Sequence, residues 1–182
     1  MASTDQDLQP AAEGERRNRL RQYQAALLER MAARSGESSA GRELGVQVGD
    51  RRCLLDLTQV GEIVPWQAVT GVPLARDWYL GLANIRGNLT GVIDLARYMG
   101  GQPTALASDS RVVTFASGMG FNCALLVARV LGLRQLSEME PQAEAEGPDW
   151  CSQQFHDRDA QAWTRLDLTQ LVREARFLQV GL

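Results

Sequence analysis

The chain of 182 residues contains no lysine; all 19 of its basic residues are arginine. Without lysine there is no Walker-type phosphate loop, no Schiff-base chemistry and no lysine general base. A single histidine, His156, rules out a multi-histidine metal centre. The three cysteines, Cys53, Cys123 and Cys151, are odd in number and far apart, so neither a disulfide framework nor a CxxC motif is expected. Cys53 and Cys123 read as small apolar core residues. No window approaches the run of about 18 apolar residues that a membrane span needs, and the start lacks the basic-then-apolar layout of a secretory signal. The expected setting is cytoplasmic, with no direct membrane insertion. A net charge of -3 and a pI near 5.3 offer no footprint for a phosphate backbone, so nucleic acid is not an expected partner.

What the chain does contain is 45% hydrophobic residues, enough for a substantial core. A polar start leads into residues 14–34, where Leu20, Tyr23, Leu27, Leu28 and Met31 recur at helical spacing. Over residues 1–40 six arginines meet six acids, which argues against a membrane anchor and leaves a tether, a packing helix or a partner-binding helix. The small-residue stretch SGESSAG (35–41) marks a linker. The expected organisation is a tail and amphipathic helix over 1–38 and a single body over 39–182.

The body opens with Leu44, Val46 and Val48 alternating with polar or small residues, then Gly49-Asp50, then Cys53, Leu55 and Leu57. This pattern predicts a β-hairpin. Val60–Val64, Leu80–Ile85 and Leu89–Leu95 predict further strands, with an irregular connection before Asp77 and a loop at 84–88. Asp94 is placed to cap a short helix ending near Gly100. A second set follows: Val112–Ala116, a turn at 118–120, a strand over Phe121–Val130, an acidic loop at 140–149, a strand over Ala160–Leu168, and a last helix capped by Asp167.

The two sets are faintly duplicated. Cys53-Leu54-Leu55 with Val60 recurs as Cys123-Ala124-Leu125 with Val130, and Ile93-Asp94-Leu95 recurs as Leu166-Asp167-Leu168, at offsets of 70 and 73 residues (53 to 123, 93 to 166). Two related β subdomains are implied. Each is too small to bury both faces of an open sheet, so each is expected to curl into a barrel.

Four segments stand in order: Val60-Gly61-Glu62-Ile63, Val72-Pro73, Gly81-Leu82-Ala83-Asn84-Ile85-Arg86-Gly87, and Val92-Ile93-Asp94-Leu95. Together they resemble the signature of CheW-like adaptors, in architecture over residues 43–182 and in motif over 43–100. Gly91 stands where that pattern has a proline, and Leu44 or Val46 where it has an aromatic. These departures and the long N-terminal segment look more like the adaptors of type IV pilus (twitching) systems than the flagellar ones.

The resemblance implies a mainly β fold of two five-stranded β-barrels with short capping helices, and a non-enzymatic adaptor with no cofactor and no metal. It implies two partners, the cytoplasmic tip of a methyl-accepting chemoreceptor and the regulatory domain of a CheA-type histidine kinase, met at membrane-associated receptor arrays. Its candidate partner-binding residues are Arg86, Asn84, Ile85, Gly87, Glu62, Val60 and Ile63. The Arg86 guanidinium could instead pair with Glu62 as an internal strut. Val60 and Ile63, three apart on one strand, are expected to point to opposite faces. Trp66 and Trp78 are candidate exposed anchors, with ordinary packing expected for at least one. Cys151 and His156 alone could suggest a nucleophile and base, but no glycine elbow accompanies them and a structural role is expected. Asp157 and Asp159 read as a solvated hairpin tip. An alternative function is a scaffold of a pilus-associated complex without a kinase.

Overall fold

A computed structural model describes residues 41–182. The 1–38 tail and its amphipathic helix lie outside the described residues. The hairpin expected at the start of the body forms as β1 (Arg42–Val48) and β2 (Arg51–Asp56), turning at Gly49-Asp50. Next come β3 (Val60–Pro65), β4 (Tyr79–Ile85) and β5 (Asn88–Asp94), then helix α1 (Leu95–Tyr98). Asp94 caps α1 as expected, accepting from Arg97 N, and also takes Thr104 N at 2.8 Å and Thr104 Oγ1 at 2.7 Å. The second set comprises β6 (Arg111–Phe115), β7 (Cys123–Val127), β8 (Arg129–Gln135), β9 (Glu140–Pro141), β10 (Gln153–His156) and β11 (Ala162–Leu166).

The expected single strand over Phe121–Val130 is two strands in different sheets. β7 lies in one sheet and β8 in the other, and the chain crosses at Ala128, whose N–H donates to Gln47 O at 2.9 Å. The apolar run Cys123–Ala128 ends at Arg129, but a single polar residue is equally compatible with a strand that continues in the same sheet, so it does not mark the crossing. The last helix also divides, into α2 (Leu168–Leu171), whose cap Asp167 accepts from Thr169 N and Gln170 N, and α3 (Ala175–Leu178).

The strands form a six-stranded sheet in the order β8-β1-β2-β11-β10-β9 and a five-stranded sheet in the order β3-β6-β7-β5-β4. Among the described residues neither closes: β8 and β9 are edges of the first and β3 and β4 edges of the second, with no ladder between them. The expected pair of five-stranded barrels is therefore corrected to two open sheets. The reason lies in how their faces are covered. One face of each sheet packs into a shared core, with Leu44, Val46 and Leu55 from one and Ile93, Val113 and Leu125 from the other. The opposite faces carry small clusters of their own, Leu54 with Trp163 and Met139, and Val92 with Val112 and Leu126. Cover from the partner sheet removes the need for closure. The exposed edge of β4 is blocked by the irregular connection, where Thr70 and Leu82 exchange hydrogen bonds of 2.8 and 2.9 Å.

The duplication is visible in the pairing. In the parallel pair of β2 with β11, Cys53 faces Thr164 and Leu55 faces Leu166; in that of β5 with β7, Cys123 faces Gly91 and Leu125 faces Ile93. Each hairpin arm of one set thus pairs with the closing strand of the other. The tryptophans repeat as well: Asp94 N donates to Trp78 O, and Asp167 N to Trp150 O, each at 2.8 Å.

Candidate functional site

β3 carries the first half of the site. Its ladder with β6 sets Val60 against Phe115 and Ile63 against Val113, so an extra residue is accommodated between them as a β-bulge. Gly61 allows it, because a Cβ there would lie 2.6 Å from Thr114 Oγ1 and 2.7 Å from Phe115 O. The Thr114 hydroxyl fills the gap left in the ladder, accepting from Glu62 N at 2.7 Å. The bulge also corrects one expectation. Phe115 and Val113 are two apart and share a face, so Val60 and Ile63 point the same way, not opposite ways. Val60 packs against the shared core, while Ile63 is 43% exposed.

The second half is the hairpin of β4 and β5. Ile85 pairs with Asn88 across a two-residue turn in which Arg86 (φ 49°) and Gly87 (φ 85°) both have positive φ. That turn matches the twist of a tight hairpin and is natural for glycine but strained for arginine. Asn84 holds it, with Oδ1 accepting from Gly87 N at 2.8 Å while Gln67 Nε2 donates to Asn84 O at 2.9 Å. Ile85 is buried against Val92 and Val112, supporting the turn from behind.

β3 and the β4–β5 turn lie at opposite ends of the five-stranded sheet, yet Arg86 Nε reaches Glu62 Oε2 at 2.6 Å. The sheet curls enough for a side-chain bridge without a backbone ladder. The pair is open to water, with Arg86 and Glu62 side chains 75% and 46% exposed, so it contributes about 0–1 kcal/mol. A cleft of about 430 Å³ lies beside it, lined by Gly61, Glu62, Asn88, Thr114 and Phe121 among others. Thr114, Gln67 and Phe121 were not singled out from the sequence. Gln67 and Thr114 act through contacts 17 and 52 residues away, and Phe121 through its place in the cleft wall, so no local pattern marks them.

The remaining candidates separate. Trp78 is 2% exposed and stacked on Phe177, so it is not an exposed anchor, while Trp66 is half-buried against the five-stranded sheet's own cluster. Cys151 precedes β10 and His156 ends it, so the strand holds them apart. Burial pushes the Cys151 thiol up, away from nucleophilic reactivity. Asp157 does form a hairpin tip, its carboxylate accepting from Trp163 Nε1, Gln161 N and Asp159 N; the Trp163 bond holds its pKa below the usual range. Among the described residues no group of three His, Cys, Asp or Glu could hold a metal ion, and no helix is long and apolar enough to cross a membrane.

The profile of the CheW-like domain matches residues 43–176, spanning both sheets and the bridged turn. The chain belongs to the CheW-like domain family. CheW-like domains are non-catalytic adaptor scaffolds in signalling, which generally bridge receptor and kinase components. Protein PilI of Pseudomonas aeruginosa (strain PAO1) is 27% identical over 143 residues, 76% of this chain and 79% of that protein. Chemotaxis protein CheW of Bacillus subtilis (strain 168) is 29% identical over 83 residues, 45% of this chain and 53% of that protein. In fold, the scaffolding protein TtCheW from Thermoanaerobacter tengcongensis aligns with a TM-score of 0.61 at 20% identity, over 70% of this chain and 88% of that one. Within this CheW-like domain, Gly91 stands in place of the pattern's proline because the Tyr79 ring lies over it. A Cβ there would be 2.8 Å from Tyr79 Oη.

Proposed function

We propose that this CheW-like protein couples the cytoplasmic tip of a methyl-accepting chemoreceptor to the regulatory domain of a CheA-type histidine kinase in a type IV pilus (twitching) system. It acts in the cytoplasm, recruited to membrane-associated receptor arrays. The observation that carries the reading is an exposed arginine on a strained hairpin tip, held by Glu62 in a chain that aligns with PilI over three quarters of its length. A tip of this kind offers a fixed backbone with an exposed charged end, suited to a reversible protein contact whose modest affinity an array multiplies. Glu62, Asn84 and Gly87 set the tip, Ile85 backs it, and Val60 and Ile63 supply apolar surface on one face of the neighbouring strand.

The test is reconstitution of receptor, kinase and this protein, with kinase activity read against receptor stimulus. Receptor control of the kinase only when this protein is present is the expected result. If it pulls down pilus-associated proteins but neither receptor nor kinase, the alternative of an assembly scaffold replaces this reading.

A further inference from the structure

The duplication makes the two sheets a controlled comparison. Trp78 and Trp150 hold equivalent places, each carbonyl accepting from the capping aspartate, so the residues that follow them, Tyr79 and Cys151, are equivalent too. Gly91 facing Cys123 likewise corresponds to Thr164 facing Cys53. In the five-stranded sheet the Tyr79 ring fills the space over Gly91. In the six-stranded sheet a cysteine stands in place of that ring, and the space is open. It forms a cleft of about 820 Å³ whose wall includes Tyr98, Trp150, Cys151 and Thr164.

Three arginines line this cleft: Arg51, Arg52 and Arg176. At an offset of 70 residues, Phe121 and Asn122 stand where Arg51 and Arg52 do, so only one copy of the repeat carries the charges. None of the three forms an ion pair among the described residues, although Asp50 and Glu146 also line the cleft. Two of them are nevertheless oriented. The Arg176 guanidinium lies 4.7 Å over the Tyr98 ring, and Arg52 donates to the Gln161 side chain. Guanidiniums oriented by neutral partners keep their charge available, and their fork geometry matches phosphate oxygens.

We infer that this cleft binds a small organic phosphate carrying a single phosphoryl group. The volume lies in the range of small-molecule sites, about 300–1,000 Å³. Thr164 Oγ1 donates to Gln154 Oε1, and the Gln161 side chain is engaged by Arg52 and Asp159 O, so the Gln154 amide N–H groups are the donors left for the rest of the ligand. The lining sets three guanidiniums against Asp50 and Glu146, and the Glu174 carboxylate stands close enough to act on Cys151 and Tyr98, so the surplus of positive charge is small, which suits one phosphoryl group and disfavours a polyphosphate. The site lies apart from the Arg86–Glu62 tip and does not depend on the adaptor reading.

The experiment is calorimetric titration of the full chain with adenosine monophosphate, inorganic phosphate, adenosine and adenosine triphosphate. Adenosine monophosphate and inorganic phosphate are expected to bind, more weakly as salt rises; adenosine should not bind, and the triphosphate should bind no tighter than the monophosphate. Arg51→Gln/Arg176→Gln should weaken monophosphate binding at least tenfold. Cys151→Tyr, which restores the filler of the sister sheet, should abolish it with an unchanged circular dichroism spectrum. If that variant misfolds, the arginine variant on the open face of the cleft decides alone. No heat with either phosphate probe at millimolar concentration, or binding indifferent to the arginine substitutions, overturns the site. Tighter binding of the triphosphate overturns the single-phosphoryl assignment.

Discussion

Arg86 and Glu62 meet at 2.6 Å across the open end of the five-stranded sheet, joining a hairpin tip to a bulged edge strand that it does not pair with. Because both side chains are largely exposed, reversing one charge is expected to change stability by no more than about 1 kcal/mol. Arg86→Glu should therefore melt close to wild type while receptor control of the kinase falls strongly. The exchange Glu62→Arg/Arg86→Glu should restore the small loss in melting temperature but not the coupling. Full coupling in the exchanged variant would reduce Arg86 to an internal strut. A single variant that couples normally would remove the tip from the interface.

Gly61 is expected to tolerate no side chain. The Cβ of Gly61→Ala would press on the backbone oxygen of Phe115, which cannot rotate away, so the strand must shift at a cost of about 1–3 kcal/mol. Thermal melting measures the cost. Thr114→Ala in the same background should relieve little of it, because the clash with Phe115 O remains.

Glu43 gives acid stability a distinctive shape. It is 1% exposed; its Oε1 accepts from Arg165 Nε at 3.1 Å, and Oε2 has no hydrogen-bond partner among the described residues. Burial raises its pKa from the ordinary 4.5 against the opposing pull of Arg165. A carboxyl with a raised folded pKa binds its proton more readily when folded. Its contribution is therefore fully present below 4.5 and is lost as pH rises through the folded value. Relative to Glu43→Gln, wild type should gain stability as pH falls towards 4.5 and hold that gain below it. Denaturant melts from pH 4 to pH 7 read the difference, and parallel curves for the two proteins would contradict it.

Deleting residues 1–38 is expected to leave a body that melts cooperatively, because among the described residues strand pairing begins at Arg42, opposite Gln135, beyond the deleted segment. Circular dichroism and thermal melting test this. Aggregation or a broad melt would show that residues 1–38 belong to the folding unit.

The local features were legible because their causes are local. Alternation over Leu44–Val48 and Cys53–Leu57 specifies a hairpin with its turn at Gly49-Asp50. A carboxylate beside the first turn suffices for the caps at Asp94 and Asp167. Gly87 and the Asn84 side chain supply what a two-residue turn needs, and pairing with Glu62 is one of the two roles the sequence allows Arg86. Even the duplication was present in two short matches.

Only the tertiary structure decided which strands are neighbours. Alternation assigns a side chain to a face but carries no information about the strand alongside, and Ala124, Leu125 and Leu126, buried on both faces, do not even alternate. The crossing at Ala128, the parallel pairs of β2 with β11 and β5 with β7, and the mutual cover that leaves both sheets open all rest on contacts between distant segments. So does the bulge that turns Val60 and Ile63 to one face, since it is set by Thr114 and Phe115, more than 50 residues from Gly61. The difference between Tyr79 over Gly91 and an open cleft at Cys151 is likewise invisible until the two sheets can be compared, because only folding shows which positions the repeat made equivalent.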